Sequence, residues 1–299
     1  MLDWPPESIS TDDDTHNWNH PGSNLCLDFH GDPTKAKLVV FSDGNHHMAL
    51  QEVLQGFYKK HPNVEHIFYA TTPPGPLLTL LKSGSLKTGN LLFSVKPHVF
   101  LSPPTVLDGL ISEGYMSEHV PFMRNQGSIL LIKKGNPKNI QSIADLERPN
   151  VRLFMSNPQT ETVSYNGYIK TLLDVARVKN IDLSFLVNNK PNDKIVYGKC
   201  IHHREAPQAI IDNHADAAIV YYHLGLRYTR IFPSQFKMIV IDGEVESPHP
   251  TSENVISTIH AGIINNGGLW GEKLLAYLQL EKVANIYTKH GLLPISNSS

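Results

Sequence analysis

Lys37-Leu38-Val39-Val40-Phe41-Ser42-Asp43-Gly44-Asn45-His46-His47-Met48 is the stretch on which the fold turns. After Lys37, four aliphatic and aromatic residues have the composition of a strand, which stops at the turn formers Ser42-Asp43-Gly44-Asn45. Beyond the turn, Met48, Val53, Leu54 and Phe57 recur at helical spacing until Lys59-Lys60-His61-Pro62 ends the run with cations and a proline. Strand, loop and helix in that order are the unit of a parallel α/β layer, and the unit repeats. Val64 to Tyr69 predicts a second strand, Thr71-Thr72-Pro73-Pro74-Gly75 a loop, and Leu77, Leu78, Leu80 and Leu81 a helix ending at Ser83-Gly84. Val99-Phe100-Leu101-Ser102, Pro103-Pro104 and a helix through Val106, Leu107, Leu110 and Ile111 make the third.

Farther along, Ser128 to Ile132 predicts a buried strand closed by Lys133-Lys134-Gly135-Asn136-Pro137, and Ser142 caps a short helix to Leu146. Val151 to Met155 reads as a strand, followed by a loop from Asn157 to Ser164 and a helix through Tyr168, Leu172, Leu173 and Val175. Ala217 to Tyr221 and Lys237 to Ile241 are later strands, and two helices end the chain, with Gly291 closing the second. Residues 1–36 are polar and irregular, an arm expected to be pinned by Trp4 and Trp18.

Composition narrows the function classes. In 299 residues, 40% apolar and 18% charged content suffices for a core, and Lys+Arg 26 against Asp+Glu 28 leaves a formal charge of −2. Such a balance supplies no basic field for nucleic acid or anionic lipid, and no apolar run approaches the roughly 20 residues of a membrane span. Cys26 and Cys200 are too few for a disulfide scaffold, and spacing does not decide whether they pair. The opening residues carry Asp12-Asp13-Asp14 and no apolar signal core, so either the protein stays inside the cell or a leader has been removed.

In an open α/β sheet, ligands sit beyond the carboxyl ends of the strands, where helix N-termini offer unpaired N–H groups and partial positive charge. Four loops have suitable chemistry: residues 42–46, 71–75, 102–105 and 160–164. Catalytic motifs are missing: there is no GxSxG elbow, phosphate-binding GxxxxGK[ST] loop, HExxH or CxxC. Sixteen histidines include the pairs His46-His47 and His202-His203. Cys200-Ile201-His202-His203-Arg204-Glu205 joins thiol, imidazole and carboxylate, a transition-metal donor set, while His203 and Arg204 before a helix expected at Ala206 to Asp212 suit an anion. A plain strand-to-helix turn fits the same residues.

These segments resemble the type II periplasmic solute-binding proteins of ABC transporters, and within them the molybdate/tungstate-binding group. The stretches that carry the resemblance are Leu38 to Phe41 with its helix, Lys96 to Ser102, Asn125 to Ile132 with Lys134 to Pro137, Ser142 to Leu146, Ser156-Asn157-Pro158, Asp216 to Tyr221, and Ile286 to Leu292. Together they span about residues 37–295. His202-His203-Arg204-Glu205-Ala206-Pro207 also looks like a His-His-Arg segment of a less characterised branch. The resemblance implies a two-lobed α/β fold with mixed sheets joined by two crossing strands, near Gln126–Ile132 and Lys237–Ile241. The lobes would be residues 37–126 with 242–299, and residues 127–241. It further implies an oxyanion held between the lobes by serine hydroxyls, helix N–H groups and a tyrosine. By position, Tyr221 matches the tyrosine, Asn45 falls at the first serine, Gly75 near the second, Ser102 at the third loop and Ser164 at the fourth. Two departures stand out: neither early serine is present, and histidines flank the first loop.

The expectation is therefore a non-catalytic, cofactor-free extracytoplasmic protein, monomeric, that captures a small inorganic solute for an ABC-transporter permease. Its ligand residues would be Asn45, His46, Gly75, Ser102, Ser164, His203, Arg204 and Tyr221. The alternatives are transition-metal capture by His46, His47, Cys200, His202, His203 and Glu205, and a ligand-sensing domain of the same fold.

Overall fold

A computed structural model describes residues 2, 28–88, 90–187, 193–199 and 201–295. Most of the expected N-terminal arm, its tryptophans, Cys26 and Cys200 lie outside the described residues. The chain forms two compact units, a terminal one (residues 28–124 and 258–295) and a central one (residues 125–257 with Leu2).

The terminal unit opens on β1 (Phe29–His30), β2 (Leu38–Ser42), α1 (His47–Lys60), β3 (Ile67–Thr71), α2 (Pro74–Ser83), the hairpin β4 (Leu86–Thr88) and β5 (Leu91–Phe93), β6 (Val99–Ser102), α3 (Pro104–Ser112) and β7 (His119–Arg124). The central unit follows with β8 (Ser128–Lys133), β9 (Leu153–Met155), α4 (Thr162–Lys179), β10 (Ile195–Tyr197), α5 (His202–Ile211), β11 (Ala217–Tyr221), α6 (Tyr222–Ile231) and β12 (Phe236–Val240). The chain then returns through β13 (Thr258–Ile263), α7 (Gly271–Leu278), α8 (Glu281–Lys289) and β14 (Leu293–Pro294).

The terminal sheet runs β1-β3-β2-β6-β13-β7-β14, with β3, β2 and β6 parallel and the rest antiparallel. Both of its faces are covered, which is why Leu38–Phe41 is apolar without a break. Leu38, Val40, Tyr69, Val99 and Leu101 meet α1, α7 and α8 on one face. Val39, Phe41, Phe68, Ala70 and Phe100 meet Leu77 and Leu80 of α2 and Leu107 and Leu110 of α3 on the other. β1 falls within the span expected to be irregular. It forms because Phe29 packs on Phe68 and Phe93 (5.5 and 5.0 Å between ring centroids) while His30 stacks on Tyr69 at 4.1 Å.

The central sheet runs β10-β9-β11-β8-β12. Residues 242–257, expected with the first lobe, cluster instead with the central unit. Side-chain clamps explain this. Asn254 Oδ1 accepts from the Ser128 amide at 2.7 Å and its Nδ2 donates to the Ser128 carbonyl at 3.1 Å, while Val255 N donates to Thr171 Oγ1 at 3.0 Å. Both expected crossing strands, as β8 and β12, therefore lie inside the central sheet, and the chain crosses at Arg124/Asn125 and Ser257/Thr258. Helix α5 starts four residues earlier than its apolar spacing suggests and carries Pro207 inside it. Proline has no N–H for the His203 carbonyl, and the Tyr228 hydroxyl donates to that carbonyl instead.

Candidate functional site

Four neighbouring strands of the terminal sheet bring one polar row together. Ser42 is in register with Thr71 on β3 and with Leu101 on β6, so the next residue, Asp43, falls level with Thr72 and Ser102. The ladder continues there: Asp43 N donates to the Leu101 carbonyl at 3.0 Å and Thr72 N to the Ser42 carbonyl at 3.2 Å. Ser102 in turn pairs with His260 on β13. The order is Thr72, Asp43, Ser102, His260, and the period of two sets all four on the face that carries Phe41, Ala70 and Phe100. Thr72 and Ser102 are each 0% exposed, and neither hydroxyl has a hydrogen-bond partner.

Helices α2 and α3 cover the same face and start immediately beyond the row, at Pro74 and Pro104. Proline suits the first helical position because its missing N–H would be unpaired there anyway. In α2, Pro76 lacks an N–H too, so Gly75 carries the N–H of the first three residues. In α3, Val106 N turns back to the Pro103 carbonyl at 3.0 Å, which leaves that of Thr105. Two buried hydroxyls thus stand beneath the positive ends of two helices, chemistry suited to an anion.

The row also contains titratable groups. Asp43 accepts from Asn45 N at 2.9 Å through Oδ1, and burial pushes its pKa up to about 6. His260 Nδ1 lies 2.9 Å from His119 Nδ1, and His119 Nε2 lies 3.0 Å from Asp108 Oδ1. With Nε2–H of His119 donated to the carboxylate, its Nδ1 accepts from His260 Nδ1–H. Burial and the His119 ring hold the His260 pKa below the usual imidazole value.

The central unit has its own strand-end cluster. Tyr221 closes β11 opposite Ser128, whose Oγ is buried without a partner. Ser257 Oγ lies 3.5 Å from the Tyr221 hydroxyl, and Ser164 Oγ donates to Ser156 Oγ at 2.9 Å. Nearby, His202 stacks on Phe154 (5.3 Å between ring centroids, 13°), and burial drives its pKa down to about 3. Its backbone N–H donates to Glu161 Oε2 at 3.0 Å. Burial, opposed by that hydrogen bond and reinforced by the Glu205 charge, pushes the Glu161 pKa up to about 7. Glu205 accepts from Lys199 N and Ile201 N at 2.8 and 3.0 Å, so it caps its own helix.

The profile of the bacterial extracellular solute-binding proteins matches residues 38–293. The chain belongs to that family. Among its relatives, the molybdate-binding protein ModA of Mycobacterium tuberculosis is 26% identical over 140 residues, 46% of this chain and 49% of that protein. The chain thus spans about half the length of the curated relatives it matches. Peb3 from Campylobacter jejuni superposes with a TM-score of 0.60 at 17% identity, over 86% of this chain and 99% of that one. The periplasmic molybdate-binding protein of Azotobacter vinelandii gives 0.57 at 15% identity, over 86% and 98%. Both likenesses are of fold, the two-lobed α/β architecture.

Measured on this solute-binding protein, the expected ligand residues separate. Ser102 stands in the terminal row and Gly75 at the helix end above it. Asn45 stands in the adjoining turn with its N–H committed to Asp43. His46 is corrected to an internal tie. Ser42 Oγ donates to the Asp43 carbonyl, so it accepts from His46 Nε2 at 3.0 Å, and His46 Nδ1 accepts from the Tyr287 hydroxyl at 2.7 Å. Neither ring nitrogen remains for a solute or metal. His47 Nδ1 is engaged by the Gly44 carbonyl at 2.9 Å. Ser164, Tyr221, His202, His203, Arg204 and Glu205 belong to the central unit, with His203 and Arg204 buried in the first turn of α5. Among the described residues no group of three or more His, Cys, Asp or Glu side chains is placed to hold a metal ion, and Cys200 lies outside them. Sequence reasoning missed Thr72, Asp43 and His260 as one set. The only signal for them was their place one residue before or at a strand end.

Proposed function

We propose that this chain captures a small tetrahedral oxyanion, of the molybdate or tungstate kind, with neutral hydrogen-bond donors, outside the cytoplasm, and delivers it to an ABC-transporter permease. One observation carries the reading: Thr72 and Ser102 hold fully buried hydroxyls without partners, level with each other, beneath the N-termini of α2 and α3. A buried hydroxyl without a partner costs about 1–3 kcal/mol, a cost that an oxyanion's lone pairs remove on binding. No helix among the described residues is long and apolar enough to cross a membrane.

Calorimetry and thermal melting against molybdate, tungstate, sulfate and phosphate test the reading. At one hundred times the dissociation constant, a true ligand adds about 2.7 kcal/mol to stability. Ser102→Ala and Thr72→Val are each expected to weaken the anion about tenfold while leaving the unliganded protein as stable as wild type or more so. Affinity that survives both substitutions, or a panel in which no anion binds, would overturn it.

A further inference from the structure

Helix α1 leaves the turn that holds Asn45 and runs 14 residues to Lys60, which carries its end about 20 Å from that turn. There it meets α7 and α8 of the same unit. Gly56 admits the contact, since a methyl group on it would stand 2.5 Å from the Tyr277 hydroxyl. Tyr277 and Trp270 both meet Phe57 edge-on, at 5.3 and 6.4 Å between ring centroids. Three ammoniums approach these two rings from three helices. Lys60 of α1 and Lys282 of α8 lie 5.8 and 4.3 Å from the Tyr277 centroid, and Lys273 of α7 lies 4.5 Å from that of Trp270. All three lysines are exposed, and among the described residues none of them forms an ion pair.

Packing alone does not account for the set. A cation in the last turn of a helix offsets the negative end of the macrodipole, and Lys60 is so placed on α1. Lys273 and Lys282 stand in the first turns of α7 and α8, where the macrodipole opposes them. The acids beside them, Glu272 and Glu281, take the ordinary first-turn place, and among the described residues they pair with none of the three. His61 lies 4.7 Å from Phe57 and 6.0 Å from Trp270 between centroids. Burial, and then the charges of Lys60, Lys273 and Lys282, hold its pKa below the usual imidazole value. The field at this pole is positive. Beside Trp270, Leu269 is 74% exposed, the most exposed large apolar side chain described.

We propose that this pole of the terminal unit rests on a bilayer of anionic phospholipid, with Lys60, Lys273 and Lys282 over headgroup phosphates and Leu269 set into the boundary beneath them. An exposed apolar side chain beside a tryptophan, flanked by lysines, is the chemistry of the headgroup level, where phosphates supply the counter-charge. Phosphate groups alone would answer the lysines; Leu269 calls for an apolar layer under them. The formal charge of −2 on the whole chain provides no general attraction to such a surface, so the contact is confined to this patch. None of these residues belongs to the anion row, and the two readings stand or fall separately.

Co-sedimentation of the full chain with lipid vesicles tests the contact. Vesicles of phosphatidylcholine alone are compared with vesicles containing about one third phosphatidylglycerol, in about 0.05 M and about 0.5 M sodium chloride. At low salt, wild type is expected to partition about a hundredfold more strongly onto the anionic vesicles, roughly fivefold for each lysine, and high salt is expected to release it. Substituting all three lysines together (K60Q, K273Q and K282Q) is expected to abolish that preference with the melting profile kept. Leu269→Ser leaves the charge intact and is expected to weaken partition about tenfold. A triple variant that keeps the preference overturns the contact. Wild type that binds both kinds of vesicle equally overturns it too, and leaves an acidic protein face as the occupant of the patch. Partition that Leu269→Ser leaves unchanged overturns the bilayer as occupant and reduces the patch to an attraction of lysines for phosphate.

Discussion

Phe41→Ala is expected to cost about 3–5 kcal/mol of unfolding free energy, a large share of the 5–15 kcal/mol typical of a folded domain. Phe41 is fully buried near the end of β2, where its ring meets Phe100 edge-on at 5.9 Å and 86°. Both rings lie on the face covered by α2 and α3, with Leu77, Leu80, Leu107 and Leu110 as neighbours in the same cluster. Rigid backbone on either side prevents the cavity from closing, because β2 is the parallel partner of both β3 and β6. The cost therefore lies near the upper part of the range for such truncations. Asp43 follows two residues later on the same face, so the variant is also expected to loosen the anion row. Chemical denaturation measures the first effect and calorimetric affinity the second. Phe41→Leu, which keeps most of the volume, is expected to lose less than about 1.5 kcal/mol. A loss under about 1 kcal/mol for Phe41→Ala would mean that this layer is not the packed core described here.

The architecture was legible because both sheet faces are covered, so Leu38 to Phe41 could be apolar at every position and stand out against its turn. Prolines and glycines fixed the loops, and Ser102 could be picked out by its match to a serine of the third loop in the family that the chain resembles. The row around it was not legible. It depends on the register of four strands, and register is a property of pairing that no single segment states. His46 misled for a related reason. A histidine beside a strand-end turn has the chemistry of a ligand residue, and only its contact with Tyr287, 241 positions away, commits it to the interior. The start of α5 was hidden by Pro207, which usually marks a helix beginning, until the Tyr228 hydroxyl is seen to satisfy the carbonyl that proline leaves free. The boundary at Ser257 was hidden because Asn254 recognises the backbone of Ser128 through its side-chain amide, a bond that leaves no hydrophobic pattern.

His202→Phe is expected to gain stability relative to wild type as the pH falls, by about 2 kcal/mol between pH 6.5 and 4.5. In the folded chain burial drives the His202 pKa down from 6.5 to about 3, so over that window the unfolded chain takes up a proton that the fold refuses. Its contribution is complete above pH 6.5 and is lost progressively toward pH 3, at about 1.4 kcal/mol for each tenfold rise in proton activity. Two carboxyls work in the opposite sense. Asp43 keeps its proton to about pH 6 rather than 3.8, and Glu161 to about pH 7 rather than 4.5. For each of them the folded chain holds the extra proton, so stability is complete below the unfolded value and falls as the pH rises through the folded one. Between pH 4.5 and 6 the imidazole offsets only one of the two acids, so wild type still gains stability on acidification, by about 1 kcal/mol per pH unit. Phenylalanine keeps a flat ring against Phe154 and Tyr168 but cannot titrate, which leaves the acids unopposed. Asp43→Asn is expected to do the reverse: it removes one of the acids, and the stability gained on acidification should shrink by an amount on the order of 3 kcal/mol. Urea titrations of the three proteins at half-unit pH steps separate the contributions. Parallel profiles for wild type and His202→Phe would place a proton on His202 in the folded chain, and its buried ring between Phe154 and Tyr168 would then need a counter-charge.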